Sequence, residues 1–187
     1  GFGDLEYELI DTGVFDDDRY FDVEVDYAKA GPDDLLMRVT VRNRGADDAV
    51  VHVLPQLWFR NTWGWTVPAG PEPKIEAGPS GKNFISLLAD DSSGHSPKNL
   101  PFEWKLGQRY LYGPPGAELL FTDNETNAPR VFGPNVQSRK PHVKDAFHRY
   151  LVNGEKDAVN PAGHGTKATL SYRLRIAAGS SQSITLR

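Results

Sequence analysis

The stretch "YFDVEVDYAKAGPDDLLMRVTVRN", residues 20–43, decides the fold. In its first half Phe21, Val23, Val25 and Tyr27 alternate with Asp22, Glu24 and Asp26. A strand sends successive side chains to opposite faces, so this period of two predicts a half-buried strand with one apolar and one acidic row. From Leu35 to Asn43 the alternation returns, with Arg38 and Thr40 between Met37, Val39 and Val41. The link Ala30-Gly31-Pro32-Asp33-Asp34 is short and made of turn formers. Ala49 to Phe59 reads as a third long strand, reached through Arg44-Gly45-Ala46-Asp47-Asp48. Together the three predict an antiparallel meander.

Outward from that core, Leu5–Ile10 reads as a further strand, and shorter strands are predicted near Asn83–Ala89, Glu103–Leu106, Gln108–Tyr112 and Glu118–Thr122. A last pair, Ala168–Ile176 and Ser181–Arg187, is joined through Ala178-Gly179-Ser180. Strands at this spacing, without strand–helix alternation, predict an all-β fold, a two-sheet antiparallel sandwich. His142–Leu151 is the single short helix predicted, with Val143, Phe147 and Tyr150 or Leu151 on one side. Two long irregular stretches, Thr66–Lys82 and Asp123–Pro141, interrupt the sandwich. Loops of this length in a compact domain serve function or cover a neighbour.

At 187 residues the chain fits one domain with its own core, and its net charge of −4 offers no basic stripe for nucleic acid. It has no cysteine, which excludes disulfides and thiolate metal sites and favours a reducing, cytoplasmic setting. No apolar run matches a membrane span, and no secretory signal pattern opens the chain. The first residue is Gly1 and a strand pattern runs into Arg187, so residues 1–187 read as a single β-sandwich domain excised from a longer polypeptide.

Three constellations carry polar chemistry. The first, "LPQLWFRNTWGW" (residues 54–65), holds Trp58, Trp63 and Trp65 around Arg60 and Asn61. One reading closes the end of the sandwich with indoles, since most aromatic side chains are core. Another makes a platform on which sugar rings stack while Arg and Asn bond their hydroxyls. The same chemistry suits a domain–domain contact. The second spans "HVKDAFHRYLVNG" (142–154) and "VNPAGHGTKA" (159–168), with Lys144, Asp145, His148, Asn160 and Lys167. On a continuous helix Lys144 and His148 share a face at i and i+4; the competing reading is a solvated face with ordinary ion pairs. The third, "FTDNETN" (121–127), offers Asp123 and Glu125, which suit a loop held by Asp and Asn turns better than an acid–base pair. The histidines His52, His95, His142, His148 and His164 form no zinc motif, and no phosphate or dinucleotide fingerprint is present, so neither metal nor cofactor is expected.

Taken together, "DTGVFDDDRYFDVEVDYAKA", "LPQLWFRNTWGW", "FTDNETN", "KDAFHRYLVNG" and "VNPAGHGTKA" resemble the N-terminal β-domain of large bacterial proteins related to mannosyl-oligosaccharide glucosidases, glycoside hydrolase family 63. The resemblance runs from about Tyr7 to Arg187. It implies a β-supersandwich of the galactose-mutarotase-like kind, packed in the family against an (α/α)6 catalytic barrel that carries the acid and base of an inverting glycosidase. It further implies a non-catalytic role for these residues, with the helical catalytic domain of the same polypeptide as partner and an oligosaccharide as a second. Asn61, Trp63, Lys144, Asp145, His148 and Lys167 would then line the interface with the barrel or the rim of its sugar pocket. The face that meets such a barrel is expected to be an exposed apolar patch. A free-standing carbohydrate-binding module with a Trp58, Trp63 and Trp65 platform is the alternative. A mutarotase-like enzyme using His148 as acid is a third reading.

Overall fold

The computed structural model describes residues 3, 6–65, 68–94 and 105–187. The strands, in chain order, are β1 (Phe21–Gly31), β2 (Asp34–Asn43), β3 (Ala49–Val53), β4 (Gln56–Trp58), β5 (Lys74–Ala77) and β6 (Ile85–Asp90). They continue with β7 (Gln108–Gly113), β8 (Glu118–Thr122), β9 (His164–Gly165), β10 (Lys167–Ile176) and β11 (Ser181–Leu186). Among the described residues there are two short α-helices, α1 (Ala128–Phe132) and α2 (Ala146–Leu151), where the sequence led us to expect one. Every strand pair with a defined register is antiparallel, and the protein is all-β. Part of the predicted strand Glu103–Leu106, namely Glu103 and Trp104, lies outside the described residues, as does His95. Among the described residues no helix is long and apolar enough to cross a membrane.

The chain forms two compact units, Gly1–Val53 with Arg173–Arg187, and Leu54–Tyr172. In the first, β1, β2 and β11 form a sheet in that order. The alternation read from residues 20–43 sets its register: Val23 stands opposite Val41, Val25 opposite Val39, and Tyr27 opposite Met37. On the other side of β2, Ile184 and Leu186 oppose Val39 and Met37. Directly opposed residues share a face, so these side chains form one apolar row across three strands. Val39, Val41, Ile184 and Leu186 are buried, yet Val23, Val25 and Tyr27 are 59%, 43% and 74% exposed. The half-burial expected of β1 is therefore not found, because whatever covers the row stops at β2. The acidic row is tied back by Asp22–Arg44 and Asp26–Arg38 ion pairs.

Of the strand expected over Leu5–Ile10, Leu5 lies outside the described residues and no strand forms over the remainder. Leu9–Thr12 is a 3-10 turn, started by the Glu8 N–H donating to Asp11 Oδ2 at 2.8 Å. Gly13 ends it in the left-handed region that glycine adopts without penalty. The strand expected from Ala49 to Phe59 is broken into β3 and β4 at Leu54-Pro55, where proline has no N–H to give a ladder.

The second unit contains two facing sheets. One has the order β7-β6-β5-β9, and the other sets β4 and β8 on either side of β10. Ile75 and Leu87 are fully buried on the first; Ala168, Leu170, Tyr172 and Phe121 are buried on one face of the second. The Tyr172 hydroxyl donates to the Pro114 carbonyl just after β7 at 2.9 Å, and burial pushes that phenol up to about 12. The sheets meet closely at Gly165, where an added Cβ would overlap the Thr122 carbonyl oxygen and lie 2.7 Å from its carbon. Only glycine leaves room there. On the opposite face of the second sheet sit Glu118, Leu120, Thr122 and Lys167, and α2 covers it: Tyr150 donates to Glu118 at 2.6 Å, and Thr122 donates to the Val143 carbonyl at 2.9 Å.

Candidate functional site

The register of β10 brings the first two constellations together. Lys167 stands opposite Trp58 on one side and opposite Thr122 on the other. Opposed Cβ atoms lie about 4.5–5.5 Å apart, so the Trp58 indole and the Lys167 stem share one face. Trp58 is 57% exposed. The Lys167 ammonium donates to the Lys144 carbonyl at 3.0 Å and lies 5.3 Å from the centre of the Phe147 ring. Burial pulls that amine below its ordinary value, with the charge of Lys144 acting in the same direction and Asp145 opposing. An exposed indole, a half-buried lysine and the exposed Lys144 thus form one aromatic and basic surface.

The three tryptophans of "LPQLWFRNTWGW" separate. Trp63 begins a 3-10 turn and is 1% exposed, its indole N–H donating to Glu125 Oε1 at 3.3 Å. Trp65, 64% exposed, carries the Arg60 guanidinium 5.2 Å from its ring centre. Asn61 is a structural clasp: its amide donates to the Asn124 carbonyl at 3.1 Å, and its Oδ1 accepts from the Gly64 N–H at 3.0 Å. A three-indole platform therefore does not exist, because Trp63 is buried while Trp58 and Trp65 are exposed.

The "FTDNETN" loop is the hub that ties these residues together. The Asn124 side chain donates to the Phe59 carbonyl at 2.9 Å, and its N–H donates to Thr166 Oγ1 at 2.8 Å. Asp123 Oδ1 accepts the Thr166 N–H at 3.1 Å. Glu125 is buried, with Arg139 3.8 Å away. Burial pushes the Asp123 carboxyl up against the pull of the Lys140 charge and the Thr166 N–H. Burial pulls Lys140 down, but its hydrogen bond to Glu72 at 2.8 Å and the charges of Glu72, Asp123 and Glu125 hold it above its ordinary value. Both carboxylates of the loop are thus spent on the fold's own donors. Among the described residues no three His, Asp or Glu side chains form a group that would hold a metal ion.

The remaining predicted site residues divide. The helix expected over His142–Leu151 shortens to α2, with Asp145 as its N-cap residue, so Lys144 and His148 do not share a helical face. Asp145 Oδ2 accepts from Asn127 at 3.0 Å and Arg130 at 3.3 Å, while its buried Oδ1 has no partner. His148 is exposed. Asn160 belongs to a turn, donating to the His164 carbonyl at 2.7 Å and accepting from the Ala162 N–H at 3.0 Å. Residues that sequence reasoning passed over include Arg139, Lys140 and Glu72, which lie in the two long stretches read only as irregular. The same stretches hide β5 and α1. Asn127 capping Arg130, with Pro129 in the first turn, was the available signal for α1.

This fold and site define an all-β domain with an aromatic and basic surface at Trp58, Lys144 and Lys167. The sequence is 32% identical over 192 residues to the uncharacterized protein YMR196W of Saccharomyces cerevisiae, covering 94% of this chain and 18% of that protein. The chain thus spans less than a fifth of that relative's length. No family model matches the chain, and no solved structure matches it.

Proposed function

We propose that this chain is the non-catalytic N-terminal β-domain of a glucosidase-like glycoside hydrolase. It packs against that protein's helical (α/α)6 barrel and shapes one side of the sugar pocket. The observation that carries the reading is the face on which Trp58 stands opposite Lys167, with Lys144 beside it; Arg60 on the exposed Trp65 adds a separate aromatic and cationic contact. Interface centres favour Trp and Arg because they combine large apolar area with fixed polar groups. The match to a domain-sized part of a far longer relative supports it, leaving room for a catalytic domain on the same polypeptide. The engagement of Asp123 and Glu125 within the fold supports a non-catalytic role. The lack of cysteine fits a cytoplasmic setting.

The second reading, a carbohydrate-binding module, is favoured by the exposure of Trp58 and Trp65, reduced from three indoles to two. Calorimetry and tryptophan quenching with gluco- and manno-oligosaccharides separate the two. No binding at millimolar sugar accords with the packing role. Micromolar binding that disappears in Trp58→Ala or Trp65→Ala assigns a module instead. Hydrolysis of a glucoside by residues 1–187, abolished by one substitution among them, would overturn both.

A further inference from the structure

We infer that the open edge of β1 receives an added strand from a partner segment in which apolar residues alternate with lysine or arginine. The sheet order β1-β2-β11 leaves two edges, and they are finished differently. Along β11 the residues outside the buried Ile184 and Leu186 are Ser181, Gln182, Ser183 and Thr185, which suit a solvated edge. Along β1, an 11-residue strand, the same row carries Val23, Val25 and Tyr27 in the open. Among the described residues no strand pairs with the outer side of β1, so its outward N–H and C=O groups form a template for strand addition.

Charge decides the occupant. The second row of β1 presents Asp22, Glu24 and Asp26. Asp22 and Asp26 are paired with Arg44 and Arg38, whereas Glu24 stands opposite the uncharged Thr40, with no ion pair among the described residues. A second copy of β1 added antiparallel with its apolar row on the same face would set acid opposite acid, which is unfavourable. Sliding it by one residue would set the apolar row against the acids. A strand with valine-like residues in one row and cations in the other extends the apolar row and meets Glu24 with opposite charge.

The test uses residues 1–187 and a short synthetic peptide alternating valine with lysine, against the same peptide with glutamate for lysine. Saturable binding of the basic peptide, with amide-exchange protection confined to Phe21–Gly31, is expected. Reversing one cross-strand pair with Glu24→Lys should weaken it by about five- to tenfold, from about 0.5–0.7 kcal/mol each for the lost attraction and the new repulsion. Val25→Asp, a change at an exposed site, should weaken it similarly. Equal binding of both peptides, protection elsewhere, or no binding would overturn the inference. So would a dimer by sedimentation whose interface protects β1, which would assign the edge to a second copy.

Discussion

Trp63 tests the reading of the aromatic stretch most directly, because it separates core from platform inside eight residues. The indole is 1% exposed and its N–H reaches a buried carboxylate. Truncation by Trp63→Ala removes a large buried ring and should cost about 3–5 kcal/mol. For a chain of this size each kcal/mol moves Tm by about 2–4 °C, so the expected fall is about 6–20 °C. Trp63→Phe keeps most of the ring but leaves Glu125 Oε1 with Arg139 alone, 3.8 Å away. A stranded buried acceptor costs about 1–3 kcal/mol, and the 3.3 Å length of the lost bond places the loss at the lower end. Trp58→Ala touches a side chain 57% exposed and should change stability by no more than about 0.5 kcal/mol. Trp65→Ala also loses the Arg60 contact, about 0.5–1 kcal/mol at an exposed site. Urea unfolding followed by circular dichroism measures all four. The reasoning fails if Trp63→Ala lies within 0.5 kcal/mol of the parent, as an order-of-magnitude bound for surface changes, or if Trp58→Ala costs as much as Trp63→Ala.

Two further outcomes follow from the second unit. Gly165→Ala sets a Cβ against the Thr122 backbone, which has no flexible end to yield, so a loss above about 4 kcal/mol or failure to fold is expected; normal unfolding of this variant would show that the two sheets do not approach there. Asp123 has a native pKa raised by burial above the ordinary 3.8, so the native chain keeps a proton that the unfolded chain has released. Its contribution to stability is full below 3.8 and is lost as pH rises through the native value. Asp123→Asn keeps an acceptor for the Thr166 N–H and should flatten this decline, as urea unfolding across the acid range would reveal; an unchanged pH profile would contradict the burial argument.

Alternation made β1, β2, β10 and β11 legible, because a period of two continued over five or more residues has few other structural solutions. It failed at Leu5–Ile10, where alternation is brief and the competing signal, Glu8 with Asp11 and then Gly13, was the one that counted. It also overran Pro55, whose missing N–H was visible in the sequence. Alternation shows which residues share a face, but not how far the cover over that face extends. Nothing in Val23, Val25 and Tyr27 distinguishes them from the row that is buried on β2. At the candidate site, residue types were legible and their grouping was not. Trp58 and Lys167 are far apart in sequence and meet only through the register of β4 on β10. Trp63 and Trp65 differ by one glycine between them, yet one reaches Glu125 and the other faces solvent. Periodicity ends with the strand, so it carried no information about that turn.

Strand β11 has a consequence for how the chain is made. It completes the sheet of the first unit from a distant part of the sequence: Thr40 and Ser183 join hydroxyl to hydroxyl across 143 residues. At about 5–20 residues per second, a ribosome needs on the order of ten seconds to supply the missing strand. Until then the edge of β2 that β11 fills has no partner, and β9 and β10 of residues 164–176 are supplied only just before β11. Both units are therefore completed within the same stretch, residues 164–186. The β2 edge stays open, and exposed to aggregation, until residues 181–186 emerge.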